Sequence, residues 1–584
     1  MDASKLGPEE RKKALERLKE DTFDVVIIGG GVTGTGAALD AATRGLSVAL
    51  VEQRDWASGT SSRSSKLIHG GLRYLEQLDF ELVREAKQEQ SLMIGRLCPH
   101  LVRPLPFLFP LSRPIWERAY VGAGILLYDL MGRHPDMPRH RHLTRRGVQK
   151  LFPGLGEHCF RGGILYHDAQ VDDARHTLAL ARTAALHGAT LASSTRVEDL
   201  TQTGRRVTGA KVRCLETGQS IHLRGRQFIN ATGVWTDRVQ NHAGRGKIHV
   251  RASKGIHLVV PKDRILGDSG LILRTEKSVL FVIPWNKHWI IGTTDTDWNL
   301  DLAHPAASRT DVDYLLERVN DVLASPLSRD DIEGIYAGLR PLLQGETDDT
   351  SELSRHHAVS QSVSGLITVA GGKYTTYRLM ARDAIDLAAR SLNRSVPPSC
   401  TDRIPLIGAP GYRGFWNRRD ALAEETGLSL SEIEHLLARH GSRIEEVIEL
   451  IAERPDLAQP LPGAPGYLRV EPYYAATHES AVHLEDVMTR RTRISIETFD
   501  RGLSSASAVA DLMGQVLGWD EMTRNREIAH YRARVEAERD SQQQPDDHTA
   551  DAARLGAPDV RMGHRASPSV VHLDERRRRA EPTD

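Results

Sequence analysis

Three consecutive glycines, Gly29-Gly30-Gly31, separate a β-branched apolar run from an alanine-rich one, and this junction constrains the fold more than any other stretch of the chain. Phe23 to Gly30 (FDVVIIGG) reads as a strand buried on both faces, because continuous Val/Ile runs belong to parallel sheets covered by helices. Thr33 to Arg44 reads as a helix and Ser47 to Glu52 (SVALVE) as a second buried strand, completing a βαβ unit. Gly29, Gly31 and Gly34 satisfy G-x-G-x-x-G between that strand and that helix. The turn needs glycine freedom, a pyrophosphate must reach the main chain with no Cβ in the way, and the helix start offers free N–H groups. Glu52 can accept hydrogen bonds from ribose hydroxyls, and its charge repels a 2′-phosphate, so FAD or NAD is favoured over NADP.

Later segments choose between those two. Ala57 to Leu75 is dense in Ser and Gly just past the second strand, where the far half of a cofactor extends. The hydroxyls and amides of Thr60, Ser61, Ser62 and Ser65, with Lys66 and Leu67 beside them, suit a diphosphate and a flavin edge. Another apolar strand ends in Asn230-Ala231-Thr232-Gly233, a turn that brings backbone against the same ligand. Gly371-Gly372-Lys373-Tyr374-Thr375 follows a strand and opens a helix, whose N–H groups can stabilise negative charge on a reduced flavin. Contacts spread this widely describe a long ligand, FAD rather than NAD.

Lys+Arg and Asp+Glu both number 77, so the formal net charge is zero. Whole-chain attraction to nucleic acid is thereby excluded, and no nucleic-acid partner is expected. The four cysteines stand far apart with no C-x-x-C, which argues against a disulfide scaffold and a cysteine zinc site; no metal is expected. Residues 1–20 read as a charged helical leader without the apolar core of a secretory signal. No apolar run reaches the roughly 20 residues of a spanning helix. Ala119 to Met131 reads either as a core helix or as an interfacial segment, since Arg/His-rich and aromatic stretches flank it. HLVVP, VLFVIP and HWIIGTT read as antiparallel strands inserted into one α/β domain over 21–398, with a substrate part at about 245–345 and a membrane-facing candidate at about 80–150. Helical patterns fill 399–538, and the polar tail 539–584 is expected to be disordered.

Several stretches together carry a resemblance: VVIIGGGVTGTGAALDAATRGLSVALVE, TSSRSSKLIHGGLRYLE, YHDAQVDDARHTLALA, INATGVWTD, KGIHLVVP, IIGTTDTD, YAGLRPL, GGKYTTYRLMA and HESAVHLEDVMTRRTR. In this order they resemble the FAD-dependent glycerol-3-phosphate dehydrogenases, part of the flavoprotein group that includes D-amino acid oxidase. The resemblance implies an α/β FAD-binding domain (Rossmann-like, D-amino acid oxidase/glutathione reductase type) with an antiparallel β-rich substrate domain and an all-α C-terminal domain. It implies oxidation of sn-glycerol 3-phosphate to dihydroxyacetone phosphate, with hydride passing from C2 to flavin N5 and electrons on to a membrane quinone. It further implies a cytoplasmic protein that dips into the inner face of the cell membrane, with Leu101–Arg146 lipid-facing (Pro104, Pro106, Phe107, Phe109, Trp116), and it leaves a homodimer open.

By the same resemblance Arg73, Tyr74, Arg340, Lys373 and Thr376 lie near the substrate, and Val197 joins the cofactor contacts. Arg73 and Lys373 suit the phosphate, because Arg binds it bidentately and Lys adds a point charge. Arg340 grips the hydroxyl end or polarises the C2 oxygen. His257 and His69 are the candidate bases, with His257 preferred. The chain departs from the family at Ile256, where a small polar residue is expected. The rival readings are an oxidase that passes electrons to oxygen and makes peroxide, and a flavin-binding scaffold without turnover. Asp295-Thr296-Asp297-Trp298-Asn299 begins like a calcium loop but fails, with Leu300 at the required glycine and Ala306 at the final glutamate. Ala421 to Gly441 resembles a helix-turn-helix, yet Glu432 and Glu434 stand where base-reading cations belong, so a helical hairpin is expected.

Overall fold

The computed structural model describes residues 3–562 except 73–74, 76–78, 114, 133–134, 245, 275–278 and 345–356. The strand Thr22–Ile28 lies inside an eight-stranded sheet, with Val48–Val51 and then Thr190–Ala192 to one side. Ser220–Asn230, Leu366–Gly371 and His357–Val363 follow on the other. From Thr190–Ala192 across to Leu366–Gly371 the pairs are parallel, so their carboxyl ends share one edge. The helices Val32–Thr43, Asp173–Leu186 and Tyr377–Arg390 bury small and aliphatic side chains against one face of this sheet. On the other face Leu200, Val207 and Val212, from two antiparallel strands, meet Val26 and Phe228. Helix Pro8–Glu20 joins that second face through Leu18, which is wholly buried and stabilises the contact by about 1.5–3 kcal/mol. The charged leader is therefore docked by its apolar stripe.

A second, ten-stranded sheet is antiparallel apart from the pairing of Gly270–Arg274 with Val102–Leu111. Its strand Val250–Pro261 pairs with His288–Gly292 and Gly334–Leu343, opposing Ser253 to Arg340 and His257 to Tyr336. Ile256, Leu258 and Val260 point into one core, so by strand alternation His257 points the other way. Ile256 therefore leaves the surroundings of His257 untouched.

From Tyr412 to Ser541 the chain is helical apart from a small hairpin at Pro460–Leu468. Buried ion pairs fasten this part to the α/β domain: Arg175 to Glu479 at 2.6 Å, Arg491 to Asp55 at 2.7 Å and Arg493 to Asp173 at 2.7 Å. Breaking such a pair by removing one partner costs about 3–5 kcal/mol, because the other charge stays buried. In the expected hairpin, Glu432 caps its own helix through Ser429 and Glu434 holds Arg419, so both acids have local work.

Two expectations need correction. The tail is not disordered as far as 562: helix Glu521–Ser541 leads into helix Asp547–Arg554 and a short turn at Val560–Met562. Ion pairs hold it, with Asp547 to Lys254, Arg561 to Asp486 and Arg554 near Glu538, while Ala550 is fully buried. A polar composition concealed this docking because paired charges replace apolar burial. Residues 563–584 lie outside the described part. Second, Phe107 and Phe109 do not face lipid; both are buried, packed with Tyr166 and Ile283. The apolar surface is carried instead by helix Trp116–Met131, which buries Val121, Ile125 and Tyr128 and exposes Trp116, Tyr120, Leu126, Leu127 and Leu130.

Candidate active site

The carboxyl edge of the parallel sheet opens into a cavity of about 340 Å³ that extends to the second sheet. On the first-sheet side it is lined by Gly29, Gly31, Glu52, Val197, Ala231, Thr232 and Gly233. Gly29 has φ +111°, and a Cβ there would lie 2.6 Å from the Ala231 carbonyl oxygen. A Cβ on Gly34 would lie 1.9 Å from the Gly29 carbonyl oxygen, so Gly34 sets the closeness of helix to strand and does not itself line the cavity. Helix Val32–Thr43 starts at Gly31, which offers no capping side chain; Ser61 Oγ accepts the Val32 N–H at 2.9 Å. The first turn thus directs unpaired amides and the positive dipole end at the cavity. Glu52 Oε2 accepts the Gly30 N–H at 2.7 Å and Oε1 the Arg54 N–H at 2.8 Å. Burial nevertheless raises its pKa, and each oxygen keeps a lone pair for a further donor. A Cβ-free turn, a helix start and a buried acceptor on the next strand fit the pyrophosphate and ribose of FAD.

Thr60, Ser61, Ser65, Leu67 and His69 line the cavity in the following segment. Ser62 and Lys66 do not. Lys66 is fully buried and donates to Asp173 at 2.6 Å and to the Ser62 carbonyl at 2.7 Å, so its side chain ties the loop down away from the cavity. The side chain turns inward because Asp173, at a helix start, supplies the compensating charge. Arg73 and Tyr74 lie outside the described residues.

On the second-sheet side stand His257 and Arg340, with Gly371, Gly372, Lys373 and Thr375 between the sheets. His257 Nε2 is 2.8 Å from Ser65 Oγ, its ring stacks on Tyr336 at 4.7 Å, and Nδ1 is buried without a hydrogen-bond partner. Burial first, then the charges of Arg340 and Lys66, push its pKa well below the usual imidazole range, so the ring is neutral. Arg340 Nη2 donates to Thr293 Oγ1 at 3.1 Å and to the Thr294 carbonyl at 3.2 Å, and Nη1 lies 3.4 Å from Asp295. The failed calcium loop therefore supplies the carboxylate that aims Arg340. Gly371 and Gly372 have φ +73° and +75°, and the turn they make sets Lys373 at the start of the short helix Tyr374–Thr376. Thr376 is buried, donates to the Lys373 carbonyl at 3.3 Å and lies off the cavity, so it braces the turn.

His69 and Thr375 exchange two hydrogen bonds of 3.2 Å, joining the glycine-rich loop to the Lys373 turn. The next residue, Gly70, donates its N–H to Tyr128 Oη at 2.7 Å, and Tyr128 donates to Asp168 at 2.6 Å. Tyr128 sits on the buried face of the helix whose other face is apolar and exposed. Sequence reasoning missed Tyr128, and it missed Tyr336 and Thr293, although YAGLRPL and IIGTTDTD carry them. Tyr128 has no local signal, because its partners are distant in sequence.

An FAD cradle on a parallel sheet, opening toward a neutral histidine and Arg340 on an antiparallel one, with Lys373 on the turn after Leu366–Gly371, defines an FAD-dependent oxidoreductase. The family model described as FAD dependent oxidoreductase matches residues 24–378, and the C-terminal domain of alpha-glycerophosphate oxidase matches 399–524. Mycobacterium leprae glycerol-3-phosphate dehydrogenase is 57% identical over 96% of each chain. The human mitochondrial glycerol-3-phosphate dehydrogenase is 36% identical over 89% of this chain and 74% of its own. The crystal structure of the Bacillus halodurans glycerol-3-phosphate dehydrogenase complexed with FAD superposes with a TM-score of 0.75 at 28% identity, covering 91% of this chain and 98% of the other. The chain belongs to the glycerol-3-phosphate dehydrogenase family of FAD-dependent oxidoreductases.

Proposed function

We propose that this chain oxidises sn-glycerol 3-phosphate to dihydroxyacetone phosphate and passes the electrons to a quinone at a lipid surface. The observation that carries the first half is the neutral His257 beside Arg340 and Lys373, in a chamber continuous with the FAD cradle. Bound FAD supplies the hydride acceptor. Lys373, with Arg73, holds the substrate phosphate. Arg340, aimed by Thr293 and Asp295, binds the C2 oxygen and stabilises the charge that grows there. His257 takes the C2 hydroxyl proton at Nε2, the nitrogen facing Ser65.

Anaerobic mixing of the holoenzyme with sn-glycerol 3-phosphate should bleach the flavin, while glycerol, lacking the phosphate, should not. Unchanged flavin absorbance would sink the reading and leave a scaffold. Stoichiometric peroxide in air, without added quinone, would move the acceptor to oxygen. The lowered His257 pKa also has a sign. The base works while neutral, so the acid limb of kcat/KM should fall below about 6.5, the ordinary imidazole value. An acid limb at or above that value would place the base elsewhere.

The membrane half rests on helix Trp116–Met131. Its outward row Trp116, Tyr120, Leu127 and Leu130 is apolar, and Ile115 just before it is 84% exposed. The neighbouring strand Arg141–Thr144 and the residues after it carry the exposed Arg141, Arg145 and Arg146. An apolar row flanked by arginines suits an anionic headgroup layer. Among the described residues no helix is long and apolar enough to cross a membrane, so the contact is one of insertion from one side. The pair Leu127→Asp and Leu130→Asp should abolish co-sedimentation with anionic vesicles and leave turnover with a soluble dye intact. Retained sedimentation would put the docking face elsewhere.

A further inference from the structure

A second cavity, of about 70 Å³, lies between the loop Thr60–Ser65, the second sheet and the C-terminal helices. Its walls include Arg63, His304, Arg490, Arg493, Arg534 and Arg554, against the single acidic side chain Glu538 among the described lining residues. Three of the five arginines are spoken for. Arg490 bonds Asp55 at 2.5 Å and Asp486 at 2.6 Å, Arg493 bonds Asp172 and Asp173, and Arg534 bonds Glu485 at 2.7 Å and Glu538 at 3.0 Å.

Two are held more loosely. Arg63 has the Ala303 carbonyl, at 3.4 Å, as its polar contact. Burial, and then the charges of Arg54, Arg534 and Arg490, hold its guanidinium below its ordinary pKa, which marks a locally positive potential. Arg554 is 3% exposed, touches His304 at 3.3 Å and Glu538 only at 3.6 Å, and its Nη1 is buried without a hydrogen-bond partner. A buried guanidinium nitrogen without a hydrogen-bond partner costs free energy.

We propose that this cavity is an anion site for a phosphate-class oxyanion, separate from the substrate chamber. Arginines line it from the cofactor loop, the segment 490–493 and the last two helices, and guanidinium groups suit phosphate oxygens. The cavity is roomy enough to hold a small ion. Arg63 lines this cavity and the FAD cavity alike, so an anion here would clamp the C-terminal helices onto the cofactor loop.

The test is calorimetric titration of the holoenzyme with inorganic phosphate, with sn-glycerol 3-phosphate as a second titrant to separate free phosphate from a phosphate monoester. Lys373→Ala weakens phosphate in the substrate chamber and so separates that event from the tighter second one. In that background the protein should still bind one phosphate, and adding Arg554→Ala should weaken it by about tenfold or more. Arg554→Lys, which keeps the charge and guards against a folding defect, should lose less. Phosphate should also raise the thermal midpoint of the Lys373→Ala protein but not of the double variant. No phosphate binding in Lys373→Ala, or equal binding with and without Arg554, would overturn the proposal.

Discussion

Gly34→Ala should yield a chain that purifies without flavin. The added methyl lies 1.9 Å from the Gly29 carbonyl oxygen, which belongs to backbone and cannot swing aside as a side chain would. Helix Val32–Thr43 must then move off the strand Thr22–Ile28, and the amides at its start leave the position a pyrophosphate requires. Overpacking of this kind costs about 1–3 kcal/mol or more in stability, and the loss of cofactor adds to it. The measurement is the ratio of flavin to protein absorbance together with the thermal midpoint. Gly124→Ala is the matched control: nothing stands within 4 Å of its Cβ and it lies in a helix. There the same change should be neutral or stabilising by about 0.5–1 kcal/mol. Stoichiometric FAD in the Gly34 variant would show that the third glycine does not set the cradle.

Arg340→Ala should lower kcat/KM by about a hundredfold to a thousandfold, the loss expected when one partner of a hydrogen-bonded charge pair beside a reacting group is removed. Thr293, the Thr294 carbonyl and Asp295 fix the guanidinium at three points, so Arg340→Lys should recover little; a single ammonium cannot meet all three. The fall should appear in kcat, because the charge on the C2 oxygen develops in the transition state. Lys373→Ala, by contrast, should raise KM for sn-glycerol 3-phosphate and leave the rate with saturating substrate closer to normal. If Arg340→Ala changed only KM, its proposed place would be at the phosphate.

Tyr128 ties these parts together. It accepts the Gly70 N–H in the loop that precedes Arg73, and the reverse side of its helix is the apolar face proposed for the membrane. The exposed apolar face and the Gly70 loop are thus one helix diameter apart, about 10 Å.

The βαβ unit and the dinucleotide turn with Gly29, Gly31 and Glu52 are legible from residue order, because each depends on local conformation or on a short motif; His257, Arg340 and Lys373 are singled out by the family resemblance, and only the folded chain sets them around one cavity. Motif position marks Lys66 and Ser62, and the family resemblance marks Thr376, yet none of the three lines the cavity. Position along the chain does not say which way a side chain turns, and Lys66 turns inward because Asp173 waits there.

Periodicity and composition could mark an apolar stretch at Val102 to Met131, but not which of its faces would be covered. Pairing with Gly162–Val171 buries Phe107 and Phe109, and only the packing of Val121, Ile125 and Tyr128 leaves Trp116 and Leu130 outside. The tail to 562 makes the same point for charge. Its Asp547 and Arg561 look like solvated residues in one dimension, and they become anchors because Lys254 and Asp486 are brought opposite them by chain segments far away. Local steric rules act between neighbours along the chain and can be read there. Burial and charge pairing act across space, so they exist only once the sheets and helices have closed around them.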